Sequence, residues 1–238
     1  MRVLKIILEG VTTSFRYPNF MLGVQPSYEM PPPATIYGHI CSALGEWVNP
    51  ADIQFAYRFT FERKLRDLEH IHVLAPSGGR LPGTRMPKVL EGNVNPFWRE
   101  VLFQPRLTLY LNKPEWEAAF RSPRYPVVLG RSQDLCGYTD VRVIELVERG
   151  AAYFEHTLIP FDHPWKTAKG VVVTMPRLLD YANNRRPTFA RYIILRQRVA
   201  SDDDSVLYFG PPPQTYWVDP ESPESAGKQM GLVFHTLA

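Results

Sequence analysis

The sequence predicts an α+β fold made of two successive strand–helix–strand units. Residues 53–61 alternate between large apolar side chains on one face and small or polar side chains, including Ala56, on the other, which indicates a strand that is buried on one face. Before them, apolar residues at helical spacing follow a run of three prolines at 31–33. The order of strand, short helix and strand recurs between residues 106 and 147. A chain of 238 residues is long enough to bury a substantial core around such a sheet.

The first unit begins with a predicted strand at residues 3–8, which has an apolar face and places Lys5 on the other. The prolines at 31–33 can lead into a helix because first-turn N–H groups have no partner inside it. Apolar residues at helical spacing continue as far as Trp47, and the Asn-Pro pair at 49–50 is expected to end the helix.

The other side of this helix carries small and polar residues near its start, among them Thr35, Tyr37 and Gly38. Unpaired N–H groups at a helix start can bind a phosphate, and a glycine lets another chain come close. The sequence therefore predicts a phosphate site here. The alternative is an ordinary core helix whose glycine packs against a strand.

Residues 62–105 break the regular pattern with glycines and prolines, which predicts an inserted β-hairpin or loop. The stretch 58–106 carries a net charge of +4, which suits contact with a phosphate backbone, although a solvated loop is the alternative. A strand at 106–111, a helix at 114–120 and a strand at 141–147 complete the second unit. The whole order is the split β-α-β-β-α-β arrangement called ferredoxin-like.

We therefore predict a ferredoxin-like domain over residues 1–150, with the insertion at about 62–105. Residues 151–238 predict a β-rich C-terminal extension with an acidic, partly irregular tail. Strands are expected in this extension at 170–174 and 191–199 because apolar and β-branched residues concentrate there.

The charges are distributed unevenly along the chain. Residues 1–199 carry a net charge of +8 and residues 200–238 carry −5, which together give the overall +3. A basic body of this kind suits a polyanionic partner, with the acidic tail turned elsewhere. The alternative is a surface whose charges are simply solvated.

Two loops combine residue types that hold single-stranded nucleic acid. Residues 12–20 mix hydroxyl groups, one arginine and aromatic rings, and residues 129–132 form a glycine-containing loop. Hydroxyl groups and arginine can bind phosphates, rings can stack on bases, and backbone amides can form an anion nest. The alternatives are rings that pack into the core and a plain turn before a strand.

Several classes of function are disfavoured by the sequence. No apolar run approaches membrane-span length, the N-terminus resembles a charged strand rather than a signal peptide, and two cysteines form no disulfide framework. We therefore expect a cytoplasmic protein without a membrane partner. No nucleotide-binding fingerprint or hydrolase elbow is present, so no cofactor is expected. His70 and His72 would share a strand face, but a zinc site needs more ligands.

Four motifs together resemble one protein family. After the first strand come Thr-Ser-Phe-Arg at 13–16 and Pro-Pro-Pro-Ala-Thr-Ile-Tyr-Gly at 31–38, then a helix ending in Ala-Leu-Gly at 43–45, and later Leu-Gly-Arg-Ser-Gln-Asp at 129–134. In this order they resemble the CRISPR-associated RAMP subunit "Cas five", in its type I-B form. The resemblance covers roughly the first 150 residues.

The resemblance implies an RRM-like domain with a β-hairpin thumb and a non-catalytic role. Family members cap the five-prime handle of CRISPR RNA in the Cascade complex, contact its backbone-filament and large subunits, and meet target DNA through the assembly. The residues implied to line the handle site are Ser14, Phe15, Arg16, Tyr17, Thr35, Tyr37, Gly38, Gly130, Arg131 and Ser132. Four further phosphate contacts in the thumb are chosen on charge alone: Arg63, Lys64, Arg85 and Lys88.

The sequence is also compatible with two other functions. One branch of the family cleaves precursor RNA without metal, using a tyrosine and an adjacent Lys-His pair, but this chain has no Lys-His or His-Lys dipeptide. Candidate acid–base groups for such an endoribonuclease are Tyr37, His39, Lys64, His70 and His72. The other alternative is a β-rich interaction module with no RNA role. We expect no catalytic residues and no metal site.

Overall fold

The computed structural model describes residues 1–20, 23–209 and 213–237. The helices are α1 (Pro33–Leu44) and α2 (Glu117–Arg121), with 3-10 turns at Pro50–Asp52, Pro114–Trp116 and Tyr181–Asn183. The strands, numbered in chain order, are β1 (Arg2–Gly10), β2 (Thr12–Thr13), β3 (Val24–Gln25), β4 (Gln54–Thr60), β5 (Arg63–Pro76), β6 (Leu90–Phe103), β7 (Arg106–Leu111), β8 (Cys136–Glu145), β9 (Val147–Arg149), β10 (Tyr153–Phe154), β11 (Thr157–Pro160), β12 (Trp165–Thr167), β13 (Val171–Asp180), β14 (Arg186–Leu195), β15 (Val199–Ala200), β16 (Val206–Tyr208), β17 (Tyr216–Asp219), β18 (Met230–Gly231) and β19 (His235–Thr236).

The predicted α+β, ferredoxin-like fold class is wrong, because the chain is mostly β. Strands account for 50% of it and helices for 11%, with two α-helices among the described residues. The second helix is a single short turn, since Pro114 opens a 3-10 turn and the chain leaves the helix before Pro123. Four C-terminal strands also join the main sheet, so its architecture is not that of a four-stranded domain with two helices.

The main sheet has eight strands. Seven follow the order β13-β14-β11-β4-β7-β1-β8, and the eighth, β19, pairs with the first residues of β4. Neighbouring strands are antiparallel throughout. The strands predicted at 3–8, 53–61 and 106–111 are confirmed as β1, β4 and β7. The strand predicted at 141–147 is divided between β8 and β9, and β8 starts earlier, at Cys136.

Helix α1 covers one face of this sheet. Its apolar stripe, with Ile36 and Ile40 fully buried, packs onto the inward side chains of β1, β4 and β7. The helix ends at Gly45, which is left-handed at φ 82° and caps the Cys41 carbonyl. A Cβ at Gly45 would lie 2.4 Å from the Arg124 side chain, so only glycine fits. The helix therefore ends before the Asn-Pro pair, and Trp47 lies outside it.

The segment predicted as an insertion forms a long antiparallel hairpin of β5 and β6. Each strand has 14 residues, paired from Arg63 with Phe103 to Pro76 with Leu90. The short strands β2 and β3 pair with the inner part of β6 and attach the hairpin to the body. The outer part is exposed and carries apolar side chains such as Leu74 and Val94.

The C-terminal third is integrated with the rest of the chain. Strands β11, β13, β14 and β19 extend the main sheet, and β9 pairs with β17 in a second, five-stranded sheet.

The predicted acidic tail is not turned away from the rest of the protein, because its carboxylates pair with basic residues of the body. Asp219 and Glu221 bind Lys5, and Asp203 binds Lys169. The +8 and −5 regions therefore partly neutralise each other. Residues 210–212 and 238 of the predicted irregular tail lie outside the described residues.

Candidate nucleic-acid interface

A groove of about 340 Å³ lies between helix α1 and the turn that joins β13 to β14. It is lined by residues from four separate parts of the chain. Six of the predicted site residues meet there: Phe15, Arg16, Thr35, Tyr37, Gly38 and Gly130. Three of the four motifs that carry the family resemblance, at 13–16, 31–38 and 129–134, therefore contribute to one surface. We call it the α1 groove.

Two glycines shape the α1 groove in different ways. At Gly38 no heavy atom lies within 4 Å of where a Cβ would stand, so the helix surface is open there. The alternative interpretation, in which this glycine packs against a strand, is therefore wrong. Gly130 has φ +93°, and a Cβ on it would lie 2.6 Å from Thr13 Oγ1 and 2.7 Å from the Ser14 carbonyl oxygen. Glycine at 130 thus allows the 129–132 loop to pack directly against the 13–16 loop.

The charged residues that line the α1 groove are both cationic. Arg16 and Arg185 lie on its walls, and no Asp or Glu is among the described residues that line it. Neither arginine forms a salt bridge within the part of the chain that the structure describes. Asp180 caps the nearby 3-10 turn by accepting a hydrogen bond from Asn183 N at 3.2 Å, and its charge is close enough to add to the raised pKa of Tyr37, although it does not line the groove. The groove is therefore suited to an anion.

His39 also lines the α1 groove, and it is neutral. Burial lowers its pKa to about 4. Its Nδ1 lies 3.0 Å from the Val128 carbonyl oxygen, to which it donates, and its Nε2 accepts from the Tyr138 hydroxyl at 2.9 Å. Both ring nitrogens are thus engaged. His39 holds the 128–130 loop against α1 and adds no positive charge to the groove.

Three aromatic rings form one side of the α1 groove. Tyr37 donates its hydroxyl proton to the Val48 carbonyl oxygen at 2.6 Å, and burial raises the pKa of this hydroxyl. The Tyr37 ring lies 6.0 Å from the Trp47 ring, and Trp47 stacks on Tyr181 at 4.3 Å and 20°. Trp47 and Tyr181 are both about half exposed, so this side presents ring surface to solvent.

The phosphate site predicted at the start of α1 is largely occupied by the chain itself. Pro33 has no N–H, and the N–H groups of Thr35 and Ile36 donate to the Pro32 carbonyl oxygen at 2.8 and 3.2 Å. Ala34 therefore has the one remaining N–H in the first turn. The proline-rich entry that identifies the helix also removes most of the donors that would bind an anion.

Two residues predicted in the 12–20 loop have structural roles. Phe15 is 3% exposed and packs edge-to-face on Phe59 at 5.5 Å, so it forms part of the core and only the edge of the groove. Ser14 is buried and donates to the Glu100 carbonyl oxygen at 2.8 Å. The expectation of exposed rings and free hydroxyls in this loop is therefore wrong for these two positions.

The Arg131 guanidinium forms ion pairs within the protein, on the side chain that was predicted to bind RNA. Its guanidinium binds both carboxylate oxygens of the buried Asp134, at 2.7 and 2.8 Å, and also contacts Glu69 of β5. These contacts join the 129–134 loop to the base of the hairpin. Ser132, next to it, is exposed. The backbone turn at 129–132 is thus held in place by the residue that was predicted to bind the ligand.

Tyr17 and Lys64 line a different cavity, of about 640 Å³, between the hairpin base and β14. Tyr17 stacks on Tyr28 at 3.6 Å, and burial raises its pKa. Burial disfavours the charged form of Lys64, but its ion pair with Glu29 at 2.9 Å outweighs this, so its pKa is raised. Lys64 is therefore already neutralised within the chain.

The remaining predicted thumb residues differ in how available they are. Arg63 and Arg85 are exposed and form no salt bridge among the described residues. Lys88 pairs with Glu91 at 3.0 Å. The +4 net charge of residues 58–106 already counts Glu91, but Lys64 pairs with Glu29 outside this stretch, so the phosphate-binding capacity of the hairpin is smaller than the net charge suggests.

Three groove residues are missed by analysis of the sequence alone: Trp47, Tyr181 and Arg185. Helical spacing assigned Trp47 to the core face of α1, whereas it lies beyond the Gly45 cap and is exposed. Tyr181 and Arg185 lie in the turn between β13 and β14, distant in sequence from the other groove residues. No short-range pattern connects these positions with the rest of the groove. The one signal in the sequence is a Tyr and an Arg on either side of two asparagines, which are common turn residues.

Within residues 1–20, 23–209 and 213–237, no group of three or more His, Cys, Asp or Glu side chains could hold a metal ion. His70 and His72 lie with ring centroids 6.3 Å apart on the hairpin. In the same residues, no helix is both long and apolar enough to cross a bilayer.

Comparison with known proteins gives matches at the level of structure. No family model matches the sequence, and no curated protein matches it. A chain of a "CRISPR RNA-guided surveillance complex" aligns with 17% identity and a TM-score of 0.52, over 83% of this chain and 91% of that one. A CRISPR protein from Archaeoglobus fulgidus aligns with 9% identity and a TM-score of 0.51, over 99% and 100% of the two chains. The protein therefore has a fold that occurs among CRISPR-associated proteins.

Proposed function

We propose that this protein is a non-catalytic RNA-binding subunit of a CRISPR effector complex of the type I-B kind. In this role the α1 groove holds the five-prime handle of the CRISPR RNA. Other surfaces contact the backbone-filament and large subunits, and target DNA is met through the assembly. The fold likeness to CRISPR-associated chains supports membership in such a complex, and the motif resemblance supports the particular subunit.

One observation carries the proposal. Three of the four motifs that resemble the family converge on a groove whose charged lining residues, Arg16 and Arg185, are cationic and without salt-bridge partners in the described chain. A cationic groove flanked by exposed rings matches the general chemistry of single-stranded nucleic-acid sites. The absence of acidic lining residues in the described chain disfavours a cationic ligand.

The contacts of the candidate acid–base residues favour binding over cleavage. General base catalysis needs a group within hydrogen-bond reach of the proton it takes. Tyr37 and His39 are both engaged with the chain in the α1 groove, and Lys64 pairs with Glu29 in a separate cavity. His70 lies on the exposed hairpin. These residues do not form one cluster, so we propose that the protein does not cut the RNA it holds.

The proposal is tested with purified protein and a labelled single-stranded RNA that matches the repeat-derived handle. We expect binding that weakens as salt rises, with a log–log slope of about −0.7 per phosphate contact. Arg16→Ala and Arg185→Ala should each weaken binding and make this slope shallower. Arg149→Ala is the matched control, because Arg149 is exposed and lies on the five-stranded sheet.

Two further arms separate the alternatives. The same sequence as single-stranded DNA tests for RNA preference, which the 2′-hydroxyl makes possible. Incubation of precursor RNA with the protein in chelator tests cleavage. No RNA binding at low salt would leave only an interaction module, and specific cleavage products would overturn the non-catalytic assignment.

A further inference from the structure

The stacked pair of Trp47 and Tyr181 has no role in the hydrophobic core. Both side chains are half exposed, at 51% and 57%, although each would stabilise the fold more if it were buried. Trp47 follows the end of α1, Tyr181 begins the turn after β13, and both residues line the α1 groove. Exposed aromatic surface of this kind, next to cationic residues, is typical of a binding site.

The two rings are not equivalent. Trp47 contacts two rings: it stacks on Tyr181 at 4.3 Å between ring centroids, and it lies 6.0 Å from Tyr37 with a tilt of 37°. Among the described residues, Trp47 is the one aromatic partner of Tyr181. Tyr181 is therefore one end of the Trp47–Tyr181 stack, and its 57% exposure leaves ring surface available to another planar group.

The turn that carries Tyr181 also carries a cation. Asp180 caps the turn through Asn183 N, and Asn184 and Arg185 both have left-handed backbone conformations, at φ 51° and 57°. A left-handed arginine costs about 1–2 kcal/mol relative to its usual conformation. This tight turn brings Tyr181 and Arg185 to the groove that Arg16 of the 13–16 loop also lines.

We propose that one unpaired base of the bound RNA stacks on the exposed ring of Tyr181 and extends the Trp47–Tyr181 stack. Its neighbouring phosphates then lie near Arg185 and Arg16. This inference rests on the proposed function and adds a base-binding position from the C-terminal third of the chain. Every base has a π-face, so the position should accept all four bases.

The test uses single-stranded handle RNA that carries the fluorescent base 2-aminopurine at one position at a time. We expect one position to be strongly quenched on binding to the wild-type protein. Tyr181→Phe, which keeps the ring, should retain this quenching. Tyr181→Leu should abolish it and weaken binding about 5- to 150-fold, the range that corresponds to one lost base–aromatic stack.

An abasic RNA provides a second, independent measurement. Removal of the base at the quenched position should weaken RNA binding to the wild-type protein by the same factor as Tyr181→Leu. With the abasic RNA, Tyr181→Leu should then cause no further loss of affinity. Phe209→Leu is the matched control, since Phe209 is 60% exposed and packs on Lys166 away from the groove. Thermal unfolding of each variant checks that the fold is intact.

The results separate this inference from the proposed function. If RNA binds with the expected salt dependence but Tyr181→Leu changes neither affinity nor quenching, the stacking position is wrong and the RNA-binding role stands. If no RNA binds under any condition, the proposed function itself fails.

Discussion

The Nζ atom of Lys5 lies 2.6 Å from Oδ2 of Asp219, and both side chains are almost completely buried. Asp219 Oδ2 also accepts a hydrogen bond from the Tyr110 hydroxyl at 2.7 Å. This ion pair joins the first strand of the main sheet to a strand of the five-stranded sheet that is 214 residues later in the chain. A buried charge pair thus links the N-terminal and C-terminal parts of the protein.

Removal of one member of this pair should destabilise the whole protein. Asp219→Ala leaves a buried ammonium group without its partner, so we expect the free energy of unfolding to fall by about 3–5 kcal/mol. Glu221→Ala is the matched control, because Glu221 is 39% exposed at its side chain and its pairing with Lys5 should contribute about 0–1 kcal/mol. Urea denaturation measures both. Equal losses in the two variants would contradict the central role of Asp219.

The two glycines of the α1 groove should respond in opposite ways to the same substitution. Gly130→Ala forces a Cβ against Thr13 and Ser14 at a left-handed position, so we expect a loss of about 1–3 kcal/mol. Gly38→Ala meets open space in a helix interior and should stabilise the protein by up to about 1 kcal/mol. Thermal and urea unfolding of both variants provide the measurement.

Gly38 also allows a test of the groove that does not disturb the core. Gly38→Leu places a bulky side chain into the open space and should weaken RNA binding by about tenfold or more, a cost of roughly 1.4 kcal/mol. The fold should remain intact, as judged by the unfolding midpoint. Unchanged RNA affinity in this variant would place the RNA elsewhere on the protein.

The buried His39 should make the protein sensitive to acid. Burial lowers its folded pKa to about 4, below the usual value of 6.5, so the unfolded chain binds more protons between these pH values. Its contribution is therefore complete above pH 6.5 and is lost as the pH falls toward 4. His235, whose pKa burial also lowers to about 4, acts in the same direction.

His39→Gln isolates the share of this effect that belongs to His39. Its stability should depend less steeply on pH than that of the wild type between 4 and 6.5. His235 remains in both proteins and serves as an internal reference. Identical slopes from urea denaturation across this range would show that His39 is protonated without penalty.

The hairpin provides a charge-matched comparison at neighbouring positions. Arg63 is exposed and outside any salt bridge of the described chain, whereas Lys64 is paired with Glu29 and Glu100. If the hairpin contacts the RNA backbone, Arg63→Ala should reduce the salt slope by about 0.7. Lys64→Ala should leave the slope nearly unchanged but lower stability. An unchanged slope in both variants would remove the hairpin base from the binding surface.

Local sequence patterns predicted those elements in which one face is buried against a single adjacent element. The alternation at 53–61 predicts β4 because one face is buried under α1, and the prolines at 31–33 predict the start of α1. The fold class was mispredicted because pairing partners are not encoded locally. Strands from 157 onward join β4 through long-range hydrogen bonds that no short window contains.

The candidate site shows the same division. Residue types in three short segments indicated a nucleic-acid surface, and these segments do meet in the α1 groove. Residue type does not show whether a cation is already paired. Asp134 and Glu69 bind Arg131, and Glu29 binds Lys64, through contacts between residues distant in the sequence or brought together by a turn.

By itself, the sequence determined the main strands, the proline-led helix and the residue types of the groove, because each depends on periodicity or on the geometry of a single residue. Only the tertiary structure decided the mostly-β architecture, the pairing of Lys5 with Asp219 and the meeting of Trp47 with Tyr181. These features depend on which distant residues are packed together. Side-chain burial and charge neutralisation follow from that packing, and they determine which of the predicted residues are available to a ligand.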